Sequence, residues 1–305
     1  MVPADPGVAL VYEPFERNIM NKSYLVMTLA AMGFAGLGTS AIAASEGQAV
    51  SDRVIAEQRA KLAAATEGKG YGPQSPRDIS AADGTNRRSF STAPQVTQMV
   101  LCDIHFHENA EHKGGEFTTY AGNGDGHGYG TGFKYDGNLS DAEVAPVGRA
   151  IGESKHGSLE PGDTIEIHFV HSTAQATLGP SLGTCLSDAI GNPQLRVEAV
   201  VAVLVNDGGA DFTQIAHIEK IGNLNQVPNL PGNLGTPVVY DGSTTGPSYN
   251  EKGSPLQVTW SVRPKVMKLN IASVEAWIVN NPFGEDHAHG VRNLVRNPSL
   301  LSKIK

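Results

Sequence analysis

The sequence predicts a mainly β fold: a single domain on a large, central, twisted mixed β-sheet with few peripheral helices. Three observations lead there. Ile165–His171 (IEIHFVH) alternates strictly, as a strand with two unlike faces does, and Val96–His107 (VTQMVLCDIHFH) alternates in its second half. Leu195–Val205 (LRVEAVVAVLV) is a β-branched run with apolar residues on both faces, which suits a central strand covered on both sides. The 35 glycines and 18 prolines keep no fixed spacing, so they mark turns between short strands rather than a repeat.

Taken in order, the chain divides at its N-terminus. Residues 1–19 read as a spurious extension, with Met20 as the expected start. Residues 20–43 read as a signal peptide: Lys22 supplies positive charge, Tyr24 to Gly38 an apolar stretch, and Ala41-Ile42-Ala43 a cleavage site. An uncleaved anchor is the alternative, but the apolar run is short and Gly-rich for a membrane span. Residues 44–66 are Ala-rich and charged and favour a helix outside the core. Residues 67–305 form the remaining domain. Within it, Phe212–Ile221 is ambiguous with a short helix, Pro255–Val262 reads as a strand, and Leu269–Val279 reads equally as strand or helix. Gly114–Gly137 and Asn223–Asn250 read as long loops, a kind usually functional in a compact domain.

A net charge of −8 with no basic stripe argues against a nucleic-acid partner. With the signal removed, no membrane partner is expected, and the product is placed in the periplasm or outside the cell. There the two cysteines, Cys102 and Cys185, can form one disulfide, with two buried thiols as the alternative. No CxxC spacing suggests a zinc–thiolate site.

The chemistry concentrates in two histidine-bearing strands. In Asp103-Ile104-His105-Phe106-His107, alternation turns both histidines to one face, about 6–7 Å apart at the backbone, with Asp103 on the same face. In Glu166-Ile167-His168-Phe169-Val170-His171, His168 shares its face with Glu166, while His171 points the other way and reads as a packed strand residue. If the strands are neighbours, His105, His107 and His168 offer three neutral imidazoles to one zinc ion and leave a position for water. Asp103 and Glu166 are then natural acceptors for the outer ring protons of His105 and His168. With no anionic ligand, the pKa of the bound water falls towards ~7, giving a hydroxide suited to a small electrophile such as carbon dioxide or an activated ester. Two alternatives stay open: an iron site using Glu111 or Asp103 with two histidines, and a structural zinc with His112 as fourth ligand.

These segments resemble the carbonic anhydrases. Ile104-His105-Phe106-His107 with Ala110-Glu111-His112 is similar to the "HFHW…SEH" segment of the α type, and Glu166–His171 to its "ELHLVH". Gln74-Ser75-Pro76-Arg77-Asp78-Ile79 resembles "QSPIDI", Tyr240–Pro247 resembles "YxGSLTTPP", and Val258-Thr259-Trp260 resembles the following "VTW" strand. A shorter loop between His107 and Glu111, a Thr-Thr element one residue short, Cys102-Asp103 opening the first block and the Gly-rich stretch after His112 point to the δ class and its bacterial secreted members.

The resemblance implies an α-carbonic-anhydrase-like fold and reversible hydration of carbon dioxide to bicarbonate at one zinc per chain, bound by His105, His107 and His168. It carries the outer-shell carboxylate onto Glu166, while the family's Gln becomes Asp103. Glu111 would orient a threonine, Thr244 or Thr245, whose oxygen accepts the proton of the attacking hydroxide. Val170, Val201 and Trp260 would receive the substrate. The family's shuttle histidine is missing at Thr85-Asn86-Arg87-Arg88; His112, His127, His287 and His289 remain, of which His127 in the Gly-rich stretch is preferred, with buffer as the other carrier. A homodimer is the oligomer allowed for. The rival readings are a zinc-dependent esterase or hydrolase, and a non-catalytic extracytoplasmic binding module on the same fold.

Overall fold

The computed structural model describes residues 49–244 and 250–305. The expected extension, the signal peptide and Thr245 lie outside the described residues.

Among the described residues ten strands carry the fold: β1 Val100–Glu108, β2 Thr119–Asn123, β3 Thr131–Lys134, β4 Thr164–Ser172, β5 Leu195–Val205, β6 Glu219–Ile221, β7 Leu224–Gln226, β8 Val238–Ser243, β9 Gln257–Val262 and β10 Met267–Asn270. The main sheet runs β1-β4-β5-β9-β8, with β10 also on β5. It is mixed: β4 lies antiparallel to β1 and β5, whereas β9 and β10 lie parallel to β5. The apolar run expected to be central is central, and all eleven residues of β5 are buried. The helices are α1 Asp52–Thr66, α2 Phe212–Ile215 and α3 Ile271–Val279, and among the described residues none is long and apolar enough to cross a membrane.

Alternation sorts the side chains into two layers. Ile165, Ile167 and Phe169 of β4 join Val200, Ala202 and Leu204 of β5 and Trp277 of α3 on one face. Val170, Val197, Ala199, Val201 and Trp260 pack on the other. Burying this much apolar surface supplies the main driving force for the fold. One exception to alternation matters. The register of β1 slips between Leu101 and Asp103, so Cys102 joins the same layer as Val170 although strict parity would set it beside Ile104. It is bonded to Cys185 of the short 3-10 turn Leu182–Cys185.

Several local readings need correction. Gly114–Gly137 is not one loop: glycines with positive φ turn the chain so that β2 and β3 pair as a hairpin. Asn223–Asn250 likewise contains β7 and β8. Leu269–Val279 is strand and then helix, divided at Asn270, whose side chain accepts from the Ala272 and Ser273 amides and so caps α3. Val96–Gln98 is a 3-10 turn, and the strand begins at Val100. Helix α1 packs on a small cluster of Leu62 with Val295, Leu300 and Leu301, separate from the two main layers.

His171 is fully buried, on the face expected of its parity. Its Nε2 has no hydrogen-bond partner among the described residues, and burial pushes its pKa down to about 4. The unfolded chain takes up this proton below about pH 6.5, the folded chain only near pH 4. Stability is therefore expected to fall as pH drops through that window, by about 3 kcal/mol from this group. His171→Phe should remove most of that slope in urea unfolding between pH 7 and pH 4.5; identical slopes in the two proteins would contradict the assignment.

Candidate metal centre

β1 and β4 are antiparallel neighbours with His105 directly opposite His168 and His107 opposite Glu166. This register brings the three histidines to one point: His105, His107 and His168 each offer a ring nitrogen, and the three atoms lie within 4.8 Å of one another. His107 and His168 are buried and His105 is partly exposed, which opens the cluster on one side.

The partner of each ring decides which nitrogen is offered. His105 Nδ1 donates to Asp103 Oδ2 at 2.7 Å, His107 Nδ1 to the Gly290 carbonyl at 3.0 Å, and His168 Nε2 to Glu166 Oε1 at 2.9 Å. That leaves lone pairs on His105 Nε2, His107 Nε2 and His168 Nδ1. His168 Nδ1 and His105 Nε2 stand 3.3 Å apart. With both rings' hydrogens committed elsewhere, this is no hydrogen bond. It matches an edge of a tetrahedron around an ion with metal–nitrogen distances of about 2.0–2.1 Å. Three converging neutral donors fit a borderline-soft divalent ion such as zinc.

The electrostatics agree. Burial, reinforced by the His168, His105 and His289 rings, holds the His107 pKa well below the ordinary range. Burial also lowers that of His168, with Glu166 opposing it. Burial disfavours charged His105 too, but Asp103 beside it outweighs burial and raises its pKa. An acidic partner of this kind increases ligand basicity and orients the ring. Asp103→Asn is expected to weaken metal binding about 10–100-fold, measured by competition with a chelator; unchanged affinity would show that Asp103 has no such role.

Glu166 is the hub of the support. Its Oε2 accepts from the Glu111 and His112 amides at 2.7 and 3.0 Å, and its Oε1 from His112 Nδ1 at 2.6 Å as well as from His168. Burial opposes its charge, yet His112 and His168 outweigh burial and hold its pKa well below the carboxylate range. His112 is fully buried, and its Nε2 meets the Tyr240 hydroxyl at 2.7 Å, which in turn meets Ser75 Oγ at 2.8 Å. Glu111, His112 and His168 also lie close enough to hold an ion. Both His112 nitrogens are engaged, however, so it orients Glu166 and is not free as a fourth ligand. Asp103 accepts from His105 and Glu111 from the Arg292 amide at 3.2 Å, and neither carboxylate is grouped with two of the three histidines His105, His107 and His168. This disfavours the two-histidine, one-carboxylate alternative.

The remaining predicted residues fall at different distances from this point. Val170 is paired with Asp103 on one side and Val197 on the other, and Val197 with Trp260. Trp260 lies 5.0 Å from the His168 ring, centre to centre. Val201 lies opposite Glu166, further along β5. Val197, which shares the parity of Val201, stands between Val170 and Trp260 because of the register. Thr244 is buried, its Oγ1 is 3.1 Å from Ser254 Oγ, and its carbonyl accepts from Arg292 Nη1 at 3.0 Å. Arg292, which sequence reading missed, therefore links the Glu111 carboxylate to the Thr244 segment. Gln74 anchors the same segment by accepting from the Ser254 amide at 3.0 Å. His127 is exposed on a cavity of about 680 Å3 that includes Tyr129 and His156. His289 is nearer: its ring is 5.9 Å from His105 and 6.0 Å from His107, with Nε2 held by Glu285 at 2.8 Å.

No curated protein matches the chain in sequence. A solved structure, Photobacterium profundum alpha-carbonic anhydrase, is similar at 17% identity over 74% of this chain and 88% of that one, with a TM-score of 0.25, too low to carry an argument about the fold. The pattern that defines the family described as Delta carbonic anhydrase matches residues 96–273, more than half of the chain and the stretch holding His105, His107 and His168. The chain belongs to the delta carbonic anhydrase family.

Proposed function

We propose that this protein is an exported, zinc-dependent carbonic anhydrase that interconverts carbon dioxide and bicarbonate, with one zinc per chain. The observation that carries the reading is the set of three imidazole nitrogens within 4.8 Å of one another, each ring pinned through its other nitrogen. The chemistry supplied by a zinc ion, when bound, is the acidification of water to a nucleophile near neutral pH.

The chain's own residues do the rest. Neutral rings bring no negative charge to the centre, so none of the ion's acidity is cancelled. Asp103, Gly290 and Glu166 prevent the rings from turning. Val170, Val197 and Trp260 form an apolar wall on the same face, suited to a substrate without a net dipole; Val201 continues it along β5, opposite Glu166. Glu111 accepts a hydrogen from the hydroxyl of Thr244 or Thr245, so that the threonine oxygen must accept in turn and aims the nucleophile's lone pair at the substrate carbon. His127, exposed at the rim of its cavity, passes protons to solvent and buffer. Export fits a chain whose two cysteines are joined.

The test is direct. The purified protein is expected to hold one zinc and to hydrate carbon dioxide, and a chelator should abolish the activity until zinc is restored. One zinc per chain with no hydration would overturn the proposal in favour of an esterase or a non-catalytic binding module.

A further inference from the structure

The other face of the same sheet carries a cavity that the metal centre does not use. It measures about 510 Å3, within the usual range of small-molecule sites. Its floor is polar and charged. On β5, Arg196 and Glu198 have the opposite parity to Val197 and Val201, and on β9, Ser261 has the opposite parity to Trp260, so this floor faces away from the histidines. Glu198 accepts from Arg196 Nε at 2.9 Å, Ser261 Oγ at 2.8 Å and Arg263 Nη1 at 2.6 Å. Arg263 Nε is spent on the Pro231 carbonyl at 3.0 Å.

The count of charges and donors does not close. Two guanidinium groups share one carboxylate, so one positive charge remains in the floor. Arg196 is only 6% exposed; its Nε is spent on Glu198, and no hydrogen bond from its terminal nitrogens to another described residue is present, so these open onto the cavity. His171, across the strand pair from Arg196, contributes no compensating anion. A largely desolvated positive charge that opens onto a cavity favours an anion there. The walls are apolar, with Val227, Leu230 and Val239 among them, and Ile221 and Val239 are exposed large hydrophobic residues at the cavity.

We propose that this cavity binds a small monocarboxylate with an apolar body, its carboxylate paired with the free edge of Arg196 and its body against Val227, Leu230 and Val239. A guanidinium offers two parallel donors to a carboxylate, which matches the unspent pair on Arg196. One surplus charge calls for a monoanion, and the apolar walls favour a hydrocarbon or aromatic body over inorganic anions. The site is independent of the zinc reading.

A fluorine NMR titration of the zinc-loaded protein with 4-fluorobenzoate tests the proposal. Saturable binding is expected in the wild type. It should weaken at least about tenfold in Arg196→Gln, which removes the fork, and in Val239→Asp, which sets a negative charge at an exposed position of the wall. His168→Ala should leave it unchanged, separating this site from the metal. Because Arg196 is in a buried ion pair, Arg196→Gln counts only when its unfolding profile is that of a folded protein; otherwise Val239→Asp decides. No saturable binding by the wild type up to about 20 mM, wild-type affinity in Val239→Asp, or loss of binding in His168→Ala would each overturn the assignment.

Discussion

His168→Ala is expected to leave the protein folded, to bring its zinc content from one per chain to near zero, and to cut carbon dioxide hydration more than about a hundredfold. Loss of a group that merely orients a ligand costs about 10–100-fold, and loss of the ligand itself costs more. Among the three proposed ligands, His168 is the one whose removal is cleanest to interpret. It stands in the middle of β4, hydrogen-bonded along its backbone to both β1 and β5, so the strand has no freedom to bring a substitute inward. Glu166 keeps three donors, two amides and His112, and stays satisfied. His112 cannot step in without abandoning Glu166 and Tyr240. His217→Ala, at an exposed histidine remote from the cluster, is the control and should match the wild type. Zinc retained at one per chain in His168→Ala would refute the ligand set, whatever the activity.

Breaking the Cys102–Cys185 disulfide is expected to lower the unfolding free energy by about 4 kcal/mol. The bond closes a loop spanning 83 positions, and in the chain-entropy account a loop of that size restricts the unfolded chain by roughly this amount. Both sulfurs are fully buried, so reduction begins only after local opening. Cys102 stands three residues before His105 on β1, and the bond ties this edge strand to the Leu182–Cys185 turn. Urea unfolding of the Cys102→Ala, Cys185→Ala double variant measures the effect; a midpoint equal to that of the wild type would show that the sheet alone restrains β1. The three clustered ring nitrogens of that variant should still meet once it is folded, because the β1–β4 register is set by nine-residue strands rather than by the bond.

The parts of the site that were legible are those governed by period two. His105 with His107, and Glu166 with His168, share faces because alternate residues must, and His171 falls on the other face for the same reason. The central position of β5 was legible because a strand covered on both sides needs apolar residues at both parities. The residues that escaped notice are set by pairing between distant segments. Val197, not Val201, stands between Val170 and Trp260 because of the β4–β5–β9 register. Arg292 and Tyr240 enter the support of Glu111 and His112 from strands and loops more than a hundred residues away. The hairpin of β2 and β3 was hidden by glycines, which signal turns but carry no side chain to show alternation.

By itself the sequence determined the chemistry at hand: which residues can donate nitrogens, which carboxylates accompany them two positions earlier, and which runs become strands, since these follow from residue type and local period. Only the tertiary structure decided that His105 and His168 face each other, which ring nitrogen each histidine offers, and that His112 serves Glu166 rather than an ion. Those outcomes depend on strand register and on hydrogen-bond partners brought in from elsewhere in the chain, and no local pattern specifies them.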